Sequence, residues 1–124
     1  MLKRLLGLCS AGALLLIALP AVARAQAPAP AEQTVTGTVV DVTCNFLKGV
    51  SGDAHRQCGV VCANAGLPLA ILGDDGKLYV PLGEDAAKPS TVDLKRHVDH
   101  KVTVKGKVTS SHGANGIQIT SLTM

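Results

Sequence analysis

From Lys101 to Thr109 the chain alternates without a break (KVTVKGKVT). Alternation of this kind gives a β-strand two chemically different faces. Val102, Val104, Gly106 and Val108 fall on one face, and Lys101, Thr103, Lys105, Lys107 and Thr109 on the other. A strand with one apolar face has to bury it against other strands, so the rest of the chain must supply a sheet that closes or packs on itself.

Other segments supply partners. Thr34 to Thr43 (TVTGTVVDVT) is rich in β-branched residues and reads as a first strand, with Gly37 marking a bulge or a sharp bend. Leu69–Leu72 and Lys77–Leu82 flank Gly73-Asp74-Asp75-Gly76 and predict a hairpin. Ser110 to Gly116 reads as the last turn, and Ile117, Ile119 and Leu122 as the last strand. Between the first strand and the hairpin, Cys44 to Asp53 reads as a loop. Ala54 to Ala65 reads as a helix, with Asp53 at its N-cap, Gly66 at its C-cap and Pro68 just beyond. A polar loop from Glu84 to Ser90 and a short helical turn within Thr91–Val98 precede the alternating strand. The fold expected is mainly β: a small five-stranded OB-like Greek-key barrel with a short helical insert after strand 1. An unrelated small β-sandwich satisfies the same strand count.

The first 25 of the 124 residues stand apart from this pattern. Lys3 and Arg4 precede an apolar run from Leu5 to Leu19, Pro20 breaks it, and Ala23-Arg24-Ala25 offers a small-x-small cleavage site. This is the layout of a secretory signal peptide, and the run is shorter than the roughly twenty residues that span a bilayer. The organisation expected is a signal peptide over 1–25, a Pro/Ala-rich tether over 26–33 and the barrel domain over 34–124. The destination is the periplasm or the medium, with no membrane span after cleavage.

Removing the signal takes away Lys3, Arg4 and Arg24 and turns a net charge of +3 into nine charges of each sign. The only aromatics left are Phe46 and Tyr79. A single-strand nucleic-acid reader needs a positive groove and stacking platforms, so the composition argues against nucleic acid as a partner. An apolar share of 47% argues equally against disorder.

Cleavage also removes Cys9 and leaves Cys44, Cys58 and Cys62, an odd number for an oxidising compartment. His55-x2-Cys58-x3-Cys62 repeats at helical spacing. At about 100° per residue the three side chains form one stripe, and Cys44 closes over it from the end of the first strand. Three thiolates with one imidazole make a tetrahedral zinc set, and the same donors suit copper, Cu(I) above all. Other readings stand beside this one. A disulfide from Cys44 to Cys58 or Cys62 would close a loop of about fifteen residues, stabilise by roughly 3 kcal/mol and leave one free thiol. Cys58 and Cys62 as small core hydrophobes, or as a redox pair, are the remaining alternatives. Cys-x3-Cys is not the Cys-x2-Cys of thioredoxin-like proteins, and the βα alternation around such a pair is missing.

His97, His100 and Asp99 (HVDH) form a lesser candidate chelate. His112 reads as an exposed turn residue, and Asp74 and Asp75 as turn residues of the hairpin. No nucleophile–base order, phosphate-cradling loop or nucleotide motif occurs, so no enzymatic reaction is expected.

Gly37, Val39, Asp41 and Cys44 in the order G-x-V-x-D-x-x-C are followed by His55, Cys58, Cys62 and Gly66. Gly76-Lys77-Leu78-Tyr79 and Val102-x-Val104-x-Gly106 come later. Together they resemble a group of small exported bacterial proteins with an OB-like barrel and a Cys/His/Cys/Cys cluster, in which a strand like Gly66-Leu67-Pro68-Leu69-Ala70 follows the cluster. The resemblance implies the fold, export and metal coordination at Cys44, His55, Cys58 and Cys62; it implies no substrate. The function expected is an exported binding or scaffolding module with a Cys3His site for Zn or Cu, structural or metal-handling. Its partner would be a protein or small ligand on the barrel face. The alternative is a disulfide-stapled envelope protein with one reactive thiol.

Overall fold

The structure, a computed structural model, describes residues 29–124. The segment 1–25 expected to be a signal peptide and the start of the expected tether lie outside them. Five strands, β1 (Ala31–Asp41), β2 (Leu69–Gly73), β3 (Leu78–Pro81), β4 (Lys101–Ser111) and β5 (Ala114–Thr123), form a closed barrel in the order β1-β2-β3-β5-β4. Every pairing is antiparallel except that of β3 with β5. This is the five-stranded Greek-key barrel that the strand pattern predicts, with its helical insert after β1.

The alternation in β4 is realised as expected: Val102, Val104 and Gly106 are buried. They join Val35, Val39, Ile71, Tyr79, Leu94, Ile117 and Ile119 in the interior, with Val108 and Leu122 packed against that core from its margin. Leu94 comes from a 3-10 turn (Leu94–His97) that lies against β2.

β1 begins at Ala31, three residues before the expected strand start at Thr34, because Ala31, Glu32 and Gln33 pair with Val108, Lys107 and Gly106. Gly37 is where β1 passes from one neighbour to the other. It pairs with Val102 of β4 and with Gly73 of β2, and a Cβ there would collide with the Leu72 carbonyl oxygen. β1 runs through Gly37 as one continuous strand, and the register shift lies elsewhere, between Lys105 and Gly106 in the β4–β5 pair.

The last turn is tighter than the sequence suggests. Ser111 pairs directly with Ala114, leaving only His112 (φ 50°) and Gly113 (φ 79°) between the strands. Two consecutive left-handed residues match the right-handed twist of a hairpin. His112 is exposed, as expected, and its Nδ1 lies 2.7 Å from Ser111 Oγ.

The β2–β3 hairpin carries a small polar network. Asp75 Oδ1 accepts from the Lys77 N–H at 3.0 Å, and the Tyr79 hydroxyl donates to Asp75 Oδ2 at 2.7 Å. The hydroxyl, then the Lys77 amide, hold the Asp75 carboxyl below its ordinary range. The same hydrogen bond, helped by burial and by the Asp75 charge, pushes Tyr79 up to about 12. A lowered carboxyl stabilises above its unfolded value near 3.8 and loses that contribution as pH falls through the folded value. A raised phenol stabilises below its unfolded value of 10.0 and loses that contribution as pH rises towards about 12. Stability from this pair is therefore level across the neutral range and declines at both ends. In Tyr79→Phe, denaturant midpoints measured against pH should lose the alkaline decline. The Asp75 carboxyl, followed by NMR, should titrate closer to an ordinary aspartate.

Candidate metal centre

Between β1 and β2 the chain leaves the barrel as two short helices, α1 (Val42–Lys48) and α2 (Arg56–Asn64). It returns at the next ladder position. Asp41 pairs with Leu69, and the Val42 N–H donates to the Pro68 carbonyl at 3.0 Å across the neck of the insert. α1 corrects the expectation of a loop from Cys44. Val42 and Thr43 look like the end of a strand, but Asp41 caps a helix, its Oδ1 accepting the Cys44 N–H at 3.0 Å. Gly49 closes it in the left-handed conformation at φ 64°.

α2 starts two residues later than predicted. His55, not Asp53, occupies the N-cap position, and Asp53 instead pairs its carboxylate with Arg56. α2 ends one residue earlier than predicted: Asn64 is its last residue and Ala65, not Gly66, holds the C-cap position, with Gly66 following at φ 86° and donating its N–H to the Ala63 carbonyl at 3.1 Å.

The two helices bring Cys44, Cys58 and Cys62 together with their sulfurs within 4.8 Å of one another. Cys44 and Cys62 are half-buried, Cys58 is exposed, and all three are free. An ion bound to sulfur at about 2.3 Å would hold tetrahedral sulfurs roughly 3.8 Å apart, so this cluster could hold a metal after a small contraction. The readings of Cys58 and Cys62 as core residues do not hold, since neither belongs to the apolar interior.

Asp41 lies beside the cluster. It is 1% exposed, and its Oδ2 is buried without a hydrogen-bond partner. The Cys62 thiol interacts with this carboxylate. That interaction first, then desolvation and the negative charges of Asp41 and Cys44, push Cys62 up to about 12. A bound cation opposes every one of these effects, because it favours thiolate and compensates the carboxylate.

His55 stands outside the three-sulfur group. Its Nδ1 lies 2.9 Å from Asp99 Oδ2, and its side chain is 10% exposed. The other oxygen of Asp99 accepts the Gly52 N–H at 2.8 Å. Asp99 is therefore committed to His55, and the expected His97–Asp99–His100 chelate does not form: among the described residues the three cysteines are the one group of donors gathered closely enough. Asp74, a turn residue, pairs with Lys101 at 2.9 Å.

Sequence reasoning missed Asp41 as a neighbour of the thiols and Asp99 as the partner of His55. An aspartate three residues before Cys44 and a glycine at position 49 were the readable signs of a capped helix. Nothing local links Asp99 to a histidine 44 positions earlier.

The barrel and the cluster define a class: a small Greek-key barrel carrying three converging thiols on an insert. No family model matches the chain, and comparisons with curated proteins and with solved structures return no match. Among the described residues no helix is long and apolar enough to cross a membrane.

Proposed function

We propose that this protein is an exported, non-catalytic module that binds and hands on one thiophilic metal ion, Zn(II) or Cu(I). Cys44, Cys58 and Cys62 supply thiolates, and His55 supplies a neutral imidazole as the fourth donor. The observation that carries the reading is the convergence of three free sulfurs from two helices within 4.8 Å.

Handling is favoured over a purely structural role by where the cluster sits. α1 buries no residue, and the barrel interior draws on neither helix of the insert. The barrel therefore has its own core, whereas a structural zinc site normally substitutes for one. One thiol is also exposed, which suits ligand exchange with a donor or acceptor. Phe46, Leu47 and Val61 are exposed on the same insert and give a partner an apolar surface beside the thiols. A protein or small ligand on the barrel face belongs to the same proposal.

The same closeness of the sulfurs favours one other reading, a disulfide from Cys44 to Cys58 or Cys62 that staples the insert and leaves one thiol. Elemental analysis of protein purified from the periplasm without chelator, paired with a thiol count after denaturation without reductant, separates the two. One zinc or copper per chain with three titratable thiols is the expected result. A metal-free chain with one thiol and a mass two hydrogens below the reduced form would overturn the metal reading in favour of the staple.

A further inference from the structure

The geometry points to Asp99 as the positioning residue for the nitrogen donor: we propose that it fixes the His55 ring so that Nε2 is the atom presented to the metal. The inference rests on the metal reading above and adds to it a residue that no motif of the sequence connects with the cysteines.

A carboxylate facing a neutral imidazole can only accept, so the nitrogen beside it carries the hydrogen. With Nδ1 2.9 Å from Asp99 Oδ2, the lone pair of His55 lies on Nε2. Histidine ligands are commonly held in this way, with the second ring nitrogen donating to a carboxylate that sets tautomer and ring orientation. His55 stands three and seven residues before Cys58 and Cys62, the steps that keep side chains on one helical stripe. The imidazole lies outside the three-sulfur group, and it joins as the cluster draws in on an ion.

Three independent features keep Asp99 in place. It is 2% exposed, and its second oxygen is anchored by the Gly52 N–H at 2.8 Å. Its backbone adopts φ 59°, a left-handed conformation that suits glycine and that aspartate tolerates better than most side chains. Gly59 of α2 lies against its Oδ2 with no room for a Cβ. A cleared space opposite and a buried carboxylate anchored by the Gly52 N–H hold Asp99 against His55.

The left-handed φ supplies a variant that keeps the fold. Asp99→Gly removes the carboxylate and suits the backbone better than the native residue, and Asp99→Asn keeps the shape. Purified wild-type protein, both variants and His55→Ala would be loaded with Co(II), whose visible bands separate three sulfurs plus nitrogen from three sulfurs plus oxygen. Zinc affinity would be measured in parallel by competition with a chromophoric chelator. The expected result is a sulfur–nitrogen spectrum in the wild type. His55→Ala should shift the bands toward sulfur–oxygen, and the two Asp99 variants should lose about 10- to 100-fold in zinc affinity with a partial shift. If His55→Ala or Asp99→Gly leaves bands and affinity unchanged, Asp99 does not position a ligand, even if thermal stability falls, and the three-thiol reading survives. A wild type that binds neither ion overturns both.

Discussion

Cys62→Ser is expected to lower zinc affinity by about a hundredfold or more and to leave the barrel folded. Removing a partner that merely orients a ligand typically costs 10- to 100-fold, so removing a thiolate itself should reach at least the upper end of that range. Serine is nearly isosteric, but its hydroxyl remains protonated near neutrality and is a poor donor to a soft ion. The barrel should not notice, because its interior contains no residue of α1 or α2. Chelator competition gives the affinity, and a far-UV thermal melt gives the integrity of the fold. An unchanged affinity would remove Cys62 from the ligand set. A collapsed melt would show that the insert holds the barrel together.

Gly37→Ala should cost the barrel a large share of its stability. Gly37 is pressed between two neighbours of β1, and the added carbon would meet the Leu72 carbonyl oxygen and the Gly73 Cα. These are backbone atoms of a hydrogen-bonded ladder, so neither can rotate away as a side chain would. A cost of about 3 kcal/mol is expected, the upper end for overpacking, against a total of roughly 5–15 kcal/mol for a domain of this kind. The melting temperature should fall by roughly 12–24 °C. Gly49→Ala is the natural comparison. That position is strained only by its φ of 64° and has nothing within 4 Å, so about 1 kcal/mol is expected. Equal losses in the two variants would mean that conformational preference, not the collision, governs Gly37.

What the sequence made legible follows the strength of each local pattern. β4 could be read because its alternation is unbroken, and the β2–β3 hairpin because two glycines and two aspartates bracket a turn between apolar runs. The convergence of Cys58 and Cys62 follows from a four-residue step on a helix. α1 was hidden because Val42 and Thr43 carry strand propensity, and a capping aspartate outweighed it. The span of the final turn was overread because Ser110, Ser111, Asn115 and Gly116 look like loop residues, although they continue the β4–β5 ladder. The role of Asp99 was out of reach. Its neighbours His97 and His100 suggest a local chelate, whereas the fold delivers a histidine from the opposite end of the domain.

The neck of the insert sets the thiol-bearing excursion apart from the closure of the barrel. Residues 42–68 leave and rejoin adjacent strands at one ladder step, so the cysteines sit on a closed excursion from a barrel whose own closure depends on the distant pairing of β1 with β4. That pairing joins the residues farthest apart in sequence among the paired strands, the kind of contact that slows folding. Local opening of α1 and α2 would uncover the packing of Gly59 and Ala63 but leave the barrel interior closed, the kind of sub-global fluctuation that amide exchange detects. On the proposed metal-handling reading, an ion could therefore exchange at the thiols without unfolding of the barrel.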